Sequence, residues 1–343
     1  MKVAVIGATG AVGREMIRIL EERNFPVDEL RPLASSRSVG RRVSFRGQEH
    51  EVRELTVDAA SGVDVAFVSA GAATSRRFLR DIATAGAVCI DNSSAFRMEP
   101  DVPLVVPEVN PEALEGWPRP GIIAVPNCTT ITAVLALGPL HRSATCRSLV
   151  LSSYQSVSGA GWKGTRELVE QVEKLHGSLE ELVRPDPSTL PVGEVFGATI
   201  AFNVVPRIGD AQDDGFTGEE AKMMAEPRKI LSAPDMHVVA TSVRVPVVTG
   251  HGASLVAGFE NPISPSEARE LLAAAPGVEV RDDLGEGVFP TPLDSAGLDV
   301  ALVGRIRQVP GRDDALALFS CADNLRMGAA LDAVHIAEQV FAR

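Results

Sequence analysis

An α/β architecture, with a doubly wound parallel sheet followed by an α+β unit, is what this sequence predicts, and three observations predict it. Residues 1 to about 127 alternate short apolar β-type runs with helical patterns, and a glycine-rich loop follows the first run directly. Beyond about Leu149 the chain becomes strand-rich, with only a few helices. At 343 residues, two domains are the expectation.

The first run, Val3 to Ile6, leads through the loop into a helix expected from about Gly13 to Arg23. Further strands are expected near Val65 to Ser69, Val88 to Asp91 and Leu104 to Val106. The second unit should draw strands from Leu149 to Gln155, Ile200 to Val204, His237 to Val248 and Ala253 to Phe259. Pro185 to Pro191 reads as a proline-stiffened surface loop. Leu325 to Arg343 reads as one amphipathic helix with Leu331, Val334, His335, Ala337 and Val340 on one side, expected to pack back against the first domain. The domains are therefore drawn as 1–127, completed by 323–343, and 128–322.

Composition narrows the function. With 45% hydrophobic and 23% charged residues the chain has the make-up of an ordinary globular protein. Its 33 Lys and Arg against 45 Asp and Glu give a net charge of -12, and aromatics are 4%, which argues against a nucleic-acid partner. Met1 to Gly7 is too short an apolar stretch for a signal-peptide core, and no other run is long enough to span a membrane, so a cytoplasmic protein is expected. The four cysteines are widely spaced and form no Cys-x-x-Cys or Cys/His cluster, so neither zinc nor a disulfide framework is expected.

The loop Gly7-Ala8-Thr9-Gly10-Ala11-Val12-Gly13 sits after a strand and opens a helix. Small residues there let the backbone approach a pyrophosphate at a helix N-terminus, the signature of a Rossmann-type dinucleotide site. A site preferring NAD carries an acidic residue at the end of the second strand for the ribose 2′-hydroxyl. Here the corresponding stretch is Ser35-Ser36-Arg37-Ser38, whose hydroxyls and guanidinium suit a 2′-phosphate, so NADP is expected.

Cys128 follows Pro126-Asn127 and leads a helical run that reaches Gly138-Pro139. A helix N-terminus favours the thiolate and should lower the thiol pKa, which makes Cys128 the candidate nucleophile. Cys89, Cys146 and Cys321 read as inert buried filler. Of six histidines, His50, His141 and His176 fall in polar or helical surface contexts, His237 opens a strand without an evident partner, and His335 faces the packing side of the last helix. His251, between Gly250 and Gly252 at a turn joining two strands, is placed to reach into a cleft; a backbone-satisfied ring is the alternative.

Together these motifs resemble the aspartate-β-semialdehyde dehydrogenase family from the first strand to the last helix. The matching segments are the Gly7 to Gly13 loop, Pro126-Asn127-Cys128-Thr129-Thr130, Gln155 to Gly161, Glu219-Glu220-Ala221-Lys222, Arg244-Val245-Pro246-Val247 and His251-Gly252. The resemblance implies that Cys128 forms a thiohemiacetal and then a thioester, that phosphate cleaves the thioester in the oxidative direction, that His251 acts as acid/base and that Gln155 orients the acyl group. Biosynthetically, NADPH would reduce aspartyl phosphate to the semialdehyde, towards lysine, threonine, methionine and diaminopimelate. It further implies Arg244 for the substrate carboxylate, Glu219 (with Glu220 the alternative) for its ammonium, and Arg97 and Lys222 for phosphate. Gly71, Ser158, Gly159, Gly161 and Asn324 would join the glycine loop and Ser35 to Ser38 around the cofactor. The second unit would be a catalytic and dimerisation domain, with a homodimer expected and a tetramer as the alternative. Two rivals remain: an N-acetyl-glutamyl-phosphate reductase, whose acylated nitrogen would leave Glu219 without an ammonium partner, and a non-catalytic NADP-binding regulator.

Overall fold

The computed structural model describes residues 1–177 and 179–342. The first sheet contains β1 (Lys2–Ile6), β2 (Glu29–Ala34), β5 (Arg53–Glu54), β6 (Val65–Val68), β7 (Val88–Asp91) and β8 (Gly121–Ala124). All its pairings are parallel, in the order β5-β2-β1-β6-β7-β8. Between β2 and β5 lies the hairpin of β3 (Arg42–Phe45) and β4 (Gln48–Glu51). Strand order reverses between β1 and β6, and the crevice at that reversal is where open α/β sheets bind ligands. The helices α1 (Ala11–Glu22), α2 (Val57–Ala60) and α3 (Ala72–Thr84) supply the crossovers.

The second sheet is mixed, ordered β10-β9-β11-β14-β13-β12. Its strands are β9 (Cys146–Gln155), β10 (His237–Arg244), β11 (His251–Phe259), β12 (Val278–Val280), β13 (Ala301–Val309) and β14 (Arg312–Ala322). The helices of this half are α4 (Cys128–Ala144), α5 (Gly161–Leu175), α6 (Leu179–Val183), α7 (Gly218–Ile230), α8 (Pro265–Ala273), α9 (Pro292–Ser295) and α10 (Leu331–Ala342). One face of the sheet is covered by α4, α7 and α8. The other leaves Val150, Tyr154, Val239 and Val256 exposed. One continuous apolar core runs through both sheets, bridged by the almost fully buried α4.

Several expectations are corrected. Leu104 to Val106 is not a strand: Leu104 makes only an isolated bridge to Ala124, and the sixth strand is Gly121–Ala124. Both runs are apolar and buried, so hydropathy alone could not choose between them. Ile200 to Val204 is also not a strand; Ile200 and Ala201 fill a small satellite core under α5, and only Val205 bridges to Arg244. The Cys128 helix runs through Gly138 and Pro139 to Ala144, because burial on nearly every side outweighs the one backbone hydrogen bond that proline removes. The first helix starts at Ala11, two residues earlier than expected, inside the glycine loop.

The C-terminal segment packs on the first domain as expected, α10 lying against α1 and β7. It is not one regular helix: a π-helical turn over Arg326–Ala330 precedes α10, and Arg343 lies outside the described residues. Arg326 ties this turn to α1 through Glu15 at 3.0 Å and Glu22 at 2.8 Å, and it also pairs with Asp299. His335 sits at the margin of the packing face rather than inside it, with its Nδ1 2.6 Å from Glu108. Asp332 is fully buried with no hydrogen-bond partner among the described residues, and burial beside Glu108 pushes its carboxyl well above the usual range.

Candidate active site

Glycine packing builds the nucleotide end of the site. Gly7 has φ +88°, and a Cβ there would lie 2.2 Å from the Ser69 carbonyl oxygen; a Cβ on Gly13 would lie 2.2 Å from that of Gly7. Those two glycines fold the loop against β6 and itself. Gly10, the N-cap of α1, carries no side-chain cap, so the first N–H groups of the helix remain available to an anion. This cradle fits the pyrophosphate of a dinucleotide. At the end of β2, Ser36–Ser38 forms a short 3-10 turn, and Ser38 Oγ lies 3.2 Å from Thr9 Oγ1. Ser35, Ser36 and Arg37 are exposed, and Arg37 makes no ion pair or side-chain hydrogen bond among the described residues, which leaves its guanidinium open to a 2′-phosphate. Gly71 opens α3 at φ +82°.

A cavity of about 320 Å³ runs from this loop to the thiol. Its lining includes Gly10, Ala11 and Val12 at one end, Arg97 and Cys128 at the other, and Ser158, Gly159, Gly161 and Asn324 along the wall. A larger cavity of about 640 Å³ near Glu108, His141 and Leu231 gathers no comparable set of reacting groups.

Cys128 is the first residue of α4. Asn127 caps this helix: its Oδ1 accepts from Thr129 N at 2.9 Å and Thr130 N at 3.3 Å, a bond set worth about 1 kcal/mol. The expected low thiol pKa is corrected. Burial, reinforced by the Glu219 carboxylate, pushes the Cys128 thiol up to about 11, against the opposing pull of Arg97, Arg244 and the Thr129 N–H. The dipole of a helix end is a smaller effect than desolvation here. Cys89, Cys146 and Cys321 are buried free thiols, pushed up to about 12 by burial.

Around the thiol lies a polar network. Glu219, 7% exposed, accepts from Asn127 Nδ2 at 2.9 Å, Gln155 Nε2 at 3.2 Å and Lys222 Nζ at 2.9 Å. Although burial opposes it, the Lys222 charge and these hydrogen bonds hold its carboxyl below the usual range. Glu220, one residue on, faces elsewhere: it forms a capping box with Thr217 and accepts from Ser242 N at 2.9 Å. Lys222 is therefore engaged with Glu219. Arg244 donates to the Ser156 carbonyl at 2.6 Å, lies over the Phe196 ring at 5.7 Å, and keeps a buried Nε without a partner among the described residues.

Arg97 donates to the Val125 carbonyl at 2.9 Å, the Asn92 carbonyl at 2.8 Å and Glu226 at 2.9 Å. Three of its five N–H groups are thus committed to the protein, and two remain for a ligand. The sequence alone does not single out Glu226. It is 1% exposed, and its second oxygen accepts the Asn127 N–H at 2.7 Å, so a single carboxylate joins Arg97 to the start of the nucleophile helix. The available signal was its spacing of seven residues from Glu219, two turns along the same face of α7.

His251 opens β11 and is fully buried. Burial, with the Arg244 charge second, pushes its pKa down to about 3, against the opposing Glu219, so the ring is neutral at pH 7. Asn324 is a hub on this wall: its Oδ1 accepts from Ser156 Oγ at 3.0 Å, Ser158 Oγ at 3.2 Å and Gly250 N at 2.9 Å. His141 accepts from Cys146 N and His237 is exposed, both outside this site.

A dinucleotide cradle and a cysteine at the head of a helix opening on one cavity, with buried carboxylate, guanidinium and imidazole groups gathered behind the thiol, define a nucleotide-dependent oxidoreductase. The semialdehyde dehydrogenase NAD binding domain matches residues 2–117 and the semialdehyde dehydrogenase dimerisation domain matches residues 137–327. Aspartate-semialdehyde dehydrogenase of Aquifex aeolicus is 46% identical, with 98% of this chain and 97% of that protein covered. The structure of aspartate semialdehyde dehydrogenase II from Vibrio cholerae complexed with ASA superposes with a TM-score of 0.91 at 40% identity, covering 99% and 98% of the two chains. That of aspartate semialdehyde dehydrogenase with NADP from Candida albicans gives 0.72 at 25% identity, covering 99% and 98%. The chain belongs to the aspartate-semialdehyde dehydrogenase family.

Proposed function

We propose that this chain catalyses NADPH-dependent reduction of L-aspartyl 4-phosphate to L-aspartate 4-semialdehyde and phosphate, through an acyl thioester on Cys128. One observation carries the reading: the thiol and the glycine cradle open on the same cavity, with Glu219 and Arg244 buried beside the thiol and their charges opposite in sign. A substrate bearing an α-carboxylate and an α-ammonium needs that pair. Arg244 takes the carboxylate, Glu219 the ammonium, and the two open N–H groups of Arg97 the phosphate, with Lys222 balancing Glu219. Gln155 orients the acyl group and His251 acts on its oxygen. NADP, when bound, supplies or takes the hydride; Gly7, Thr9, Gly10, Ala11, Val12 and Gly13 hold its pyrophosphate, and Ser35 to Ser38 its 2′-phosphate. Gly71, Ser158, Gly159, Gly161 and Asn324 complete its surroundings.

The placement of the two sheets supports a domain division at 127/128, with the segment from 323 returning to the first domain. No described helix is long and apolar enough to cross a membrane, which agrees with a cytoplasmic enzyme. The open apolar face with Val150, Tyr154, Val239 and Val256 suits a second copy of the chain across a two-fold axis, a homodimer, with a tetramer built from two such pairs as the alternative.

The test is phosphate-dependent NADPH formation from aspartate semialdehyde, run on protein whose sedimentation gives at least twice the chain mass. Cys128→Ser should abolish turnover while NADP binding persists. Turnover of N-acetyl-glutamate semialdehyde in its place would select the neighbouring reductase activity, and turnover unchanged by Cys128→Ser would refute the thioester.

A further inference from the structure

We infer that Ser156 fixes the tautomer of His251, so that the ring meets the acyl group as a neutral hydrogen-bond donor at Nε2. Ser156 N lies 3.0 Å from His251 Nδ1. A backbone N–H can only donate, so Nδ1 must present its lone pair there, and the one proton of a neutral imidazole is then on Nε2. The Ser156 backbone is held on both sides. The Gln155 carbonyl accepts Val245 N at 3.0 Å, Val157 N donates to the Val247 carbonyl at 2.8 Å, and Arg244 grips the Ser156 carbonyl. Ser156 Oγ lies 3.0 Å from both Nδ1 and Asn324 Oδ1, two acceptors for its single proton.

Nε2 itself is buried without a partner among the described residues. It faces the Gly159 backbone: a Cβ built on Gly159 would stand 3.2 Å from Nε2 and 2.9 Å from Arg244 Nη1, so only glycine leaves room between this N–H and the cavity that Cys128 lines. A buried donor without a partner is costly in a finished structure and useful in a site where charge develops on an oxygen.

Resting on the thioester reading above, the chemistry closes without ionising His251. The thiol sulfur bonds to the acyl carbon as the carbon–oxygen bond to phosphate breaks, and the thiol proton departs with the phosphate as hydrogen phosphate. Hydride added to the thioester carbon pushes the carbonyl electron pair onto oxygen, where the Nε2–H hydrogen bond holds the oxyanion. Its collapse breaks the carbon–sulfur bond, releasing the aldehyde and a thiolate that takes a proton from water. Ser156 is a positioning residue in this scheme and His251 the group that touches the reacting oxygen.

Long-range proton–nitrogen NMR on the full-length, ligand-free protein labelled with 15N-histidine reads the tautomer directly, with His251→Asn assigning the signal. The expected result is a protonated, pyrrole-type nitrogen at Nε2, the one coupled to both ring carbon protons, with a pyridine-type Nδ1, unchanged from pH 5 to 8. A protonated Nδ1, or an imidazolium appearing in that range, overturns the inference. Ser156→Ala, which keeps the N–H, should leave this signature in place. Ser156→Pro, compatible with the φ of -65° at that residue, removes the N–H and should populate the Nδ1–H form, lowering kcat by about a hundredfold with the KM for NADPH unchanged. An unchanged tautomer in Ser156→Pro would also overturn it. The expected signature in a protein that fails to turn over aspartate semialdehyde would sink the proposed function and leave the tautomer assignment standing.

Discussion

The two ends of the cavity are built differently. At the cofactor end, the loop from Gly7 to Gly13 and the turn from Ser35 to Ser38 are local pieces of chain, their shape set by neighbouring backbone, with Thr9, Ala11, Val12 and Ser38 half-buried and Ser35, Ser36 and Arg37 exposed. At the thiol end, Arg97, Asn127, Gln155, Glu219, Glu226, Arg244, His251 and Asn324 come from distant stretches and are all buried. Most polar atoms there depend on another for compensation, while Arg244 Nε and His251 Nε2 have no partner among the described residues. A substitution at the exposed end should change one ligand contact, whereas a substitution in the network should disturb stability and chemistry together.

The sharpest way to break that contrast is Glu226→Gln. Removing the charge leaves Arg97 buried without its counter-ion, which should lower unfolding free energy by about 3 to 5 kcal/mol and kcat/KM by about a hundredfold. Denaturant unfolding and steady-state kinetics check both; a stability within about 0.5 kcal/mol of the parent would mean the network is not coupled as described.

The Cys128 thiol gives the next test. With its pKa pushed up to about 11, alkylation by iodoacetamide in the ligand-free protein should accelerate with rising pH well beyond the pKa of an ordinary cysteine, about 8.5. The sign for stability follows. The folded-state value lies above the unfolded one, so this contribution is complete below about pH 8.5 and is lost as pH rises towards 11. An alkylation midpoint below pH 8 would show the helix N-terminus prevailing over desolvation.

The smallest effect belongs to the exposed end. Arg37→Ala should raise the KM for NADP by about tenfold, leave that for NAD alone and leave the melting temperature unchanged, because the side chain makes no contact that folding needs. A matching rise for NAD would remove Arg37 from the 2′-phosphate.

The sequence by itself determined whatever depends on local chain. The parallel-sheet rhythm, the glycine loop at the end of β1, the missing acid after β2 and the cysteine behind an asparagine cap are all readable over a few residues, because strand and cap geometry is set by near neighbours. It could not decide between two buried apolar runs for the sixth strand, Leu104 to Val106 or Gly121 to Ala124, since only pairing with β7 distinguishes them. Nor could it give the protonation of Cys128, which the helix end alone would place low. Tertiary structure alone brings Glu219 beside the thiol, joins Arg97 to Glu226 across 129 positions and puts the Ser156 N–H on His251 across 95. Contacts of that kind arise when separate elements pack, and desolvation, which exists only once they have packed, then sets the charge each group carries.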